Sequence, residues 1–146
     1  MITPKVYDWK KQSLVSEHAF RIHVELYERY CNATNMDSSD TYSSNGVTLH
    51  EHFFDIIIGE VNTKNMVKID GFKKQFKKVA LESRGWTIYG INKLTNEYTF
   101  ISLESHDNGM MIDFEPLIVC DGYEHSYILT YGNDKERYID AFLINM

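Results

Sequence analysis

The spacing of apolar residues changes once along the chain, at Trp86, and this change limits the possible folds. Before Trp86, apolar side chains recur every three or four residues, as they do on one face of a helix. From Trp86 onward, short runs of β-branched and aromatic residues alternate with turn-forming residues, which is typical of antiparallel strands. The chain has 146 residues, enough for one core, so we predict a single α+β domain over residues 1–146.

Three helices are predicted in the first part, near residues 16–31, 48–60 and 71–84. Each has one apolar side and one polar side at helical spacing. The second begins with Thr48 and Glu51, the spacing of a capping box, in which each side chain bonds a free backbone N–H of the first turn.

A polar stretch separates the first two predicted helices. Residues 32–46, NATNMDSSDTYSSNG, are almost all small or polar. Such a composition indicates a flexible loop, serving either as a lid or binding loop or as a disordered tether.

The second part predicts four antiparallel strands within residues 86–131, arranged as a meander. Pro116 indicates an edge position or a bulge in the third strand, because proline lacks the N–H that a central strand needs. The tail 134–146 fits a helix, since Asn133 lies three residues before Glu136, or a fifth strand. We therefore predict that three N-terminal helices pack on one face of a four- to five-stranded antiparallel sheet.

The sequence His50-Glu51-His52 looks like part of a metal site. On a helix, however, residues two apart point about 160° away from each other, at 100° per residue. His50 and His52 therefore cannot bind one ion together, and we predict no metal ligand among the residues of this chain.

Two histidines, His23 and His50, are predicted on the apolar faces of the first and second helices. The favoured interpretation is structural, with each ring hydrogen-bonded inside the core. The alternative is a general acid or base at the floor of a pocket. His106 and His125 fall in predicted turns, where they would be exposed, although a metal site across the hairpin ends is conceivable.

Sequence motifs exclude several common chemistries. The chain contains no phosphate-binding P-loop, no dinucleotide fingerprint, no serine nucleophile elbow and no H-E-x-x-H zinc motif. Cys31 and Cys120 lie far apart without a C-x-x-C pattern, which indicates buried free thiols rather than a zinc site. No cofactor is predicted. The absence of a long apolar run predicts a cytoplasmic protein without membrane contact.

The charge is concentrated in two regions of opposite sign. The chain carries a net charge of −6, but residues 96–146 contain ten acidic residues and two basic ones, a net charge of −8. This favours a small acidic binding module that blocks or regulates a basic protein, such as an inhibitor, an immunity-type protein, or an antagonist of a nuclease or other nucleic-acid enzyme. The residues predicted to bind the partner are Asp107, Asp113, Glu115, Asp121 and Glu124.

The third predicted helix is basic on its outer side, and we interpret that side as a solvated face. Direct contact with nucleic acid is not expected except through its lysines, which are Lys73, Lys74, Lys77 and Lys78. The competing function is a small-molecule pocket protein or enzyme with a cone-like α+β fold, in which His23 or His50 acts as acid or base. Because catalytic motifs are missing, the binding module is the favoured of the two.

Overall fold

A computed structural model describes residues 1–106 and 113–146. Two 3-10 turns, Trp9–Lys11 and Thr63–Asn65, precede or join the longer elements. In chain order those elements are α1 (Glu17–Met36), α2 (Thr41–Ile57), α3 (Phe72–Glu82), β1 (Trp86–Asn92), β2 (Glu97–Leu103), β3 (Phe114–Asp121), α4 (Glu124–Tyr131) and α5 (Lys135–Asn145).

The three predicted N-terminal helices are present, but the flexible loop predicted at 32–46 is wrong. α1 continues to Met36 and α2 already begins at Thr41, which leaves a short connection between them. Asp40 is the N-cap of α2, because its side chain accepts the backbone N–H of Ser43. Thr48 is therefore inside the helix and bonds the carbonyl of Ser44, so the predicted capping box does not form.

The described strands form one antiparallel sheet in the order β2-β1-β3. The pairing of β1 with β3 shifts its register between Tyr89 and Gly90, and Pro116 lies opposite Gly90 at this irregularity. The predicted bulge or edge position of Pro116 is therefore confirmed. Residues 107–112, which include the predicted start of the third strand, lie outside the described residues.

The helices cover both faces of the sheet, so their predicted packing on one face is wrong. Trp86 and Tyr89 are three residues apart on β1 and so point to opposite faces. The Trp86 ring contacts His50 of α2 with centroids 4.9 Å apart, whereas the Tyr89 ring contacts Phe72 of α3 at 5.0 Å. α1 and α2 thus lie on one side of the sheet and α3 on the other.

The segment predicted as a fourth strand is the helix α4, and the tail is the helix α5 rather than a fifth strand. The β-branched and aromatic residues of α4 favour a strand locally, but tertiary packing overrides that preference. α4 packs between α1 and α5, and its Thr130 Oγ1 accepts the N–H of Ser16 at 3.1 Å. Asp134 caps α5 by accepting the N–H of Arg137 at 3.0 Å. An α+β architecture is confirmed, with three described strands instead of four or five.

Aromatic side chains fill the core where the helices meet. The Phe142 ring of α5 stacks on Phe53 of α2, with centroids 6.0 Å apart, and on Phe76 of α3, at 5.7 Å. Both cysteines, Cys31 and Cys120, are buried free thiols. Among the described residues, no helix combines the length and the apolar character that crossing a bilayer requires.

Phe142→Ala tests this packing between three helices. Loss of a fully buried aromatic ring should lower the free energy of unfolding by about 3–5 kcal/mol, because burial and close contacts are lost and a cavity remains. Ile144→Ala on the same helix is the control, since Ile144 is 78% exposed and should change stability by less than about 0.5 kcal/mol. Urea unfolding measures both, and equal losses would contradict the described packing.

Candidate metal centre

Four potential metal ligands converge where the N-terminal helices meet the end of the sheet. They are His23 of α1, His50 of α2, Asp121 at the end of β3 and His125 in the first turn of α4. One ligand atom from each lies within 4.8 Å of all the others. Asp121, His50 and His23 are buried, and His125 is partly buried.

The carboxylate of Asp121 is at the centre of this group. Its Oδ2 lies 2.9 Å from Nε2 of His23, 2.9 Å from Nε2 of His125 and 3.6 Å from Nε2 of His50. Its Oδ1 accepts the backbone N–H of Tyr123 at 3.0 Å. One carboxylate oxygen is thus fixed by the backbone, while the other faces three imidazoles.

The chain turns tightly between the last strand and α4 to place Asp121 and His125 together. These two residues are four apart, with Gly122 directly after the aspartate. Gly122 donates its N–H to the carbonyl of Gly85 at 3.0 Å, and an added Cβ at Gly122 would lie 2.4 Å from that oxygen. A side chain at position 122 would therefore force the Asp121 end of β3 away from Gly85.

His50 presents an unpaired nitrogen to the carboxylate. Its Nδ1 lies 2.7 Å from the carbonyl oxygen of Gly46, which can only accept, so in the neutral ring Nδ1 carries the proton. Nε2 then exposes a lone pair, is buried and has no hydrogen-bond partner. An unpaired lone pair 3.6 Å from a carboxylate oxygen is unfavourable by itself, and a shared cation would relieve it.

The local electrostatics keep three of the four ligands, Asp121, His23 and His50, in their metal-binding forms. Burial opposes ionisation of Asp121, but the charge and hydrogen bonds of His125 and His23 outweigh it and hold its pKa well below the usual value. Burial lowers the pKa of His50 to about 3 and also lowers the pKa of His23. For His125, burial is outweighed by the charge and hydrogen bond of Asp121, so its pKa is raised. At neutral pH the site thus offers a carboxylate and two neutral imidazoles on the N-terminal helices.

A surface cavity of about 330 Å³ leads to His50 and His125. Its polar and aromatic lining includes Tyr30, Tyr42, Trp86, Glu104, His106 and Tyr123. His106 is held firmly, because its Nε2 accepts the indole N–H of Trp86 at 2.8 Å and its carbonyl accepts the side-chain amide of Asn45 at 2.7 Å. The neutral His106 ring therefore carries its proton on Nδ1.

Gly46 is where α2 approaches this lining most closely. A Cβ there would lie 3.0 Å from His106 Nδ1 and 3.0 Å from Cγ of Tyr30. Since the carbonyl of Gly46 also bonds His50, one glycine links the positions of the ligand and of the cavity wall.

The structure separates the residues predicted to bind a partner. Asp121 is fully buried in the cluster, so its assignment to a partner surface is wrong. Asp113, Glu115 and Glu124 are exposed, and their role in partner binding stays a prediction. Asp107 lies outside the described residues.

The lysines of α3 are also divided. Lys73, Lys74 and Lys78 are exposed, as a solvated face predicts. Lys77 is paired with Glu136 at 2.9 Å and with Asp140 at 2.8 Å, which joins α3 to α5.

The prediction that no residue serves as a metal ligand is not supported by this geometry. Of the pair His50 and His52, only His50 belongs to the cluster. The partners of His50 come from three other elements, as far as 75 residues along the chain at His125. The sequence signals for this arrangement are histidines on two apolar helix faces and the Asp121-x-x-x-His125 spacing at a strand-to-helix junction.

Sequence comparison identifies the family. Residues 58–146, more than half of the chain, match the family described as iron/manganese superoxide dismutases, C-terminal domain. The chain belongs to the iron/manganese superoxide dismutases.

Named relatives of this family extend the similarity over most of the chain. "Superoxide dismutase [Fe]" of Aquifex aeolicus is 28% identical over 146 residues, covering 92% of this chain and 68% of the relative. "Superoxide dismutase [Fe]" of Aquifex pyrophilus matches with the same identity and coverage. "Superoxide dismutase [Mn/Fe]" of Rickettsia typhi is 35% identical over 79 residues, covering 51% of this chain and 36% of the relative.

Membership in the iron/manganese superoxide dismutases corrects the predicted function. The acidic inhibitor, immunity-type or antitoxin-like module is wrong, because the matching family and its named relatives are enzymes. The competing interpretation, an enzyme with His23 or His50 at a pocket, agrees better with these findings. Net acidity was a poor guide because it does not distinguish a binding surface from ordinary solvated side chains.

Acid should destabilise the metal-free superoxide dismutase chain through His50. The unfolded chain protonates this histidine near pH 6.5, whereas the folded chain resists protonation down to about pH 3. Because the unfolded state binds more protons between these values, the free energy of unfolding should fall by roughly 2 kcal/mol from pH 6.5 to pH 5 through this group. Urea unfolding of metal-free protein and of His50→Gln at both pH values isolates this contribution.

The other cluster residues stay in place in both proteins, so their effects largely cancel in that comparison. His18→Gln, an exposed substitution on α1, is the control and should keep the acid sensitivity of the original chain. An acid sensitivity that is unchanged in His50→Gln would show that His50 is not buried in its neutral form.

Proposed function

We propose that the protein binds one iron or manganese ion through His23, His50, Asp121 and His125 and catalyses superoxide dismutation. The observation that supports this most directly is the geometry around Asp121 Oδ2, which faces three imidazole nitrogens, one of them buried with an unpaired lone pair. Three imidazoles and one carboxylate form a mixed nitrogen and oxygen donor set suited to a divalent or trivalent first-row metal.

In the proposed reaction, two superoxide anions and two protons give one dioxygen molecule and one hydrogen peroxide molecule. The bound ion supplies one-electron chemistry, so that one superoxide is oxidised and the other reduced. The relatives named for iron, for manganese and for both metals support this choice of ion.

The contribution of the chain is to balance charge and to exclude bulk water. Asp121 brings one negative charge into a buried site, while the neutral imidazoles of His23 and His50 add ligand atoms without adding charge. The surrounding rings lower the local dielectric, which strengthens the attraction between the carboxylate and a cation.

The cavity supplies the approach for the substrate. His50 and His125 line it together with aromatic residues, and its volume of about 330 Å³ gives a diatomic anion ample room. His106 holds a proton at Nδ1 beside this cavity, because Trp86 occupies its other nitrogen. We assign to His106 a positioning role: it holds Trp86 and Asn45 by hydrogen bonds beside the candidate metal ligands.

Metal binding and activity test this proposal in matched variants. Metal-free protein supplied with Fe(II) or Mn(II) should bind one ion per chain, and the loaded protein should accelerate superoxide decay in pulse radiolysis. His23→Ala should weaken metal binding by more than about 100-fold, because losing a ligand costs more than the 10–100-fold typical of an outer-shell partner. Activity should be lost in parallel.

His18→Ala is the matched control, since His18 is an exposed histidine on the same helix. It should keep the original metal content and activity. Asp121→Asn, which keeps the side-chain shape but removes the charge, should resemble His23→Ala. A wild-type chain that binds neither metal, or binds one without accelerating superoxide decay, would contradict the proposal.

A further inference from the structure

Residues 2–7, here called the N-terminal clasp, lie across α1 and α2. Ile2 forms a reciprocal pair with Asn35 near the end of α1: its N–H donates to Asn35 Oδ1 at 2.6 Å, and its carbonyl accepts the Asn35 amide at 2.7 Å. The Lys5 ammonium lies 3.4 Å from Glu51 and 3.5 Å from Asp55, both on α2. The clasp is therefore attached to both helices.

Tyr27 of α1 joins the clasp to α2 in the interior. Its hydroxyl accepts the backbone N–H of Lys5 at 3.0 Å and donates to Oε1 of Glu51 at 2.7 Å. The side chain is fully buried. One hydroxyl group thus connects the clasp, α1 and α2.

These contacts are next to the candidate ligands. Tyr27 is one helical turn after His23 on α1, and Glu51 directly follows His50 on α2. The Tyr27 ring packs on Phe54 with centroids 5.9 Å apart, and Phe54 packs on His23 at 5.1 Å. A shift of α1 against α2 at Tyr27 would therefore move the two histidines relative to each other.

The two histidines have no direct hydrogen bond that fixes their separation. His50 is oriented within its own helix by the carbonyl of Gly46. Its ring contacts the His23 ring edge to face, with centroids 5.0 Å apart. His23 is hydrogen-bonded to Asp121, and His50 lies 3.6 Å from the same carboxylate oxygen, so the separation of the two rings depends both on that carboxylate and on how α1 and α2 are held together.

We infer that Tyr27 is a positioning residue for the proposed metal site, an inference that rests on the proposed function. Through Glu51 and the clasp it holds α1 and α2 at the separation at which His23 and His50 can bind the same ion. The Glu51 carboxylate and the backbone N–H of Lys5 both bond this hydroxyl, and neither residue belongs to the group of candidate metal ligands.

Tyr89 provides a control, because it is an equally buried tyrosine whose hydroxyl also accepts a backbone N–H but has no connection to the ligands. It is fully buried, and its hydroxyl accepts the backbone N–H of Lys68 at 3.0 Å. Its ring packs against α3, on the sheet face opposite to Trp86. The general effect of removing a buried tyrosine hydroxyl that accepts a backbone N–H should therefore be present in both Tyr27→Phe and Tyr89→Phe.

The experiment measures Mn(II) affinity by competition with a chelator, together with the visible spectrum of the Co(II)-loaded protein. Tyr27→Phe should weaken Mn(II) binding by about 10-fold or more, the effect of losing support around a ligand, and should shift the Co(II) bands. Tyr89→Phe should bind Mn(II) within about twofold of wild type and leave the bands unchanged, since its ring lies away from the ligands. Thermal unfolding of the metal-free variants reports their folding separately.

Two substitutions at Glu51 separate the hydrogen bond from the charge. Glu51→Gln keeps a carbonyl oxygen that accepts from Tyr27 but removes the ion pair with Lys5, and it should bind Mn(II) nearly as wild type. Glu51→Ala removes both and should resemble Tyr27→Phe.

The outcomes distinguish this inference from the proposed function. If wild type binds Mn(II) and Tyr27→Phe binds it equally well, or if both tyrosine variants weaken binding alike, the positioning role is overturned while the metal site stands. If wild type binds no Mn(II), Fe(II) or Co(II), the metal site and the positioning role fail together.

Discussion

The buried carboxylate of Asp121 is the interaction on which the arrangement of this molecule depends. An ionised group without water is costly unless charges or hydrogen bonds surround it. Here a backbone N–H bonds one oxygen, and imidazoles from two sides approach the other. The tight turn at Gly122, the ring packing of α1 on α2 and the placement of Trp86 opposite Asp121 all serve to enclose this one group.

Local sequence patterns predicted the N-terminal helices well and the connections poorly. Apolar spacing alone placed α1, α2 and α3, because one side of each helix is buried against the rest of the protein. The polar residues 32–46 have the composition of a loop, yet α1 extends to Met36, and a cap at Asp40 with burial of Ser43 and Gly46 starts α2 at Thr41. α4 has the composition of a strand and becomes a helix because α1 and α5 surround it. Such packing depends on distant residues, which no local window contains.

The candidate site was recognisable only in part for the same reason. The sequence pattern correctly places His23 and His50 on apolar helix faces, but a single core histidine is most often structural, and the pattern does not show that the two meet. Asp121 was assigned to an acidic surface because charge was counted along the chain, whereas the aspartate points inward opposite Trp86. The four residues meet only because α1 and α2 form a hairpin and β3 ends beside it. This is tertiary structure, which local sequence patterns do not show.

The two buried thiols acquire a further meaning in a protein proposed to release hydrogen peroxide. Peroxide oxidises the thiolate form of cysteine, and access to that form controls the rate. Burial raises the pKa of Cys31 and of Cys120, and neither side chain is exposed to solvent. Both sulfurs therefore stay protonated and shielded at neutral pH. Burial of both thiols thus shields them from the hydrogen peroxide that the proposed reaction would release.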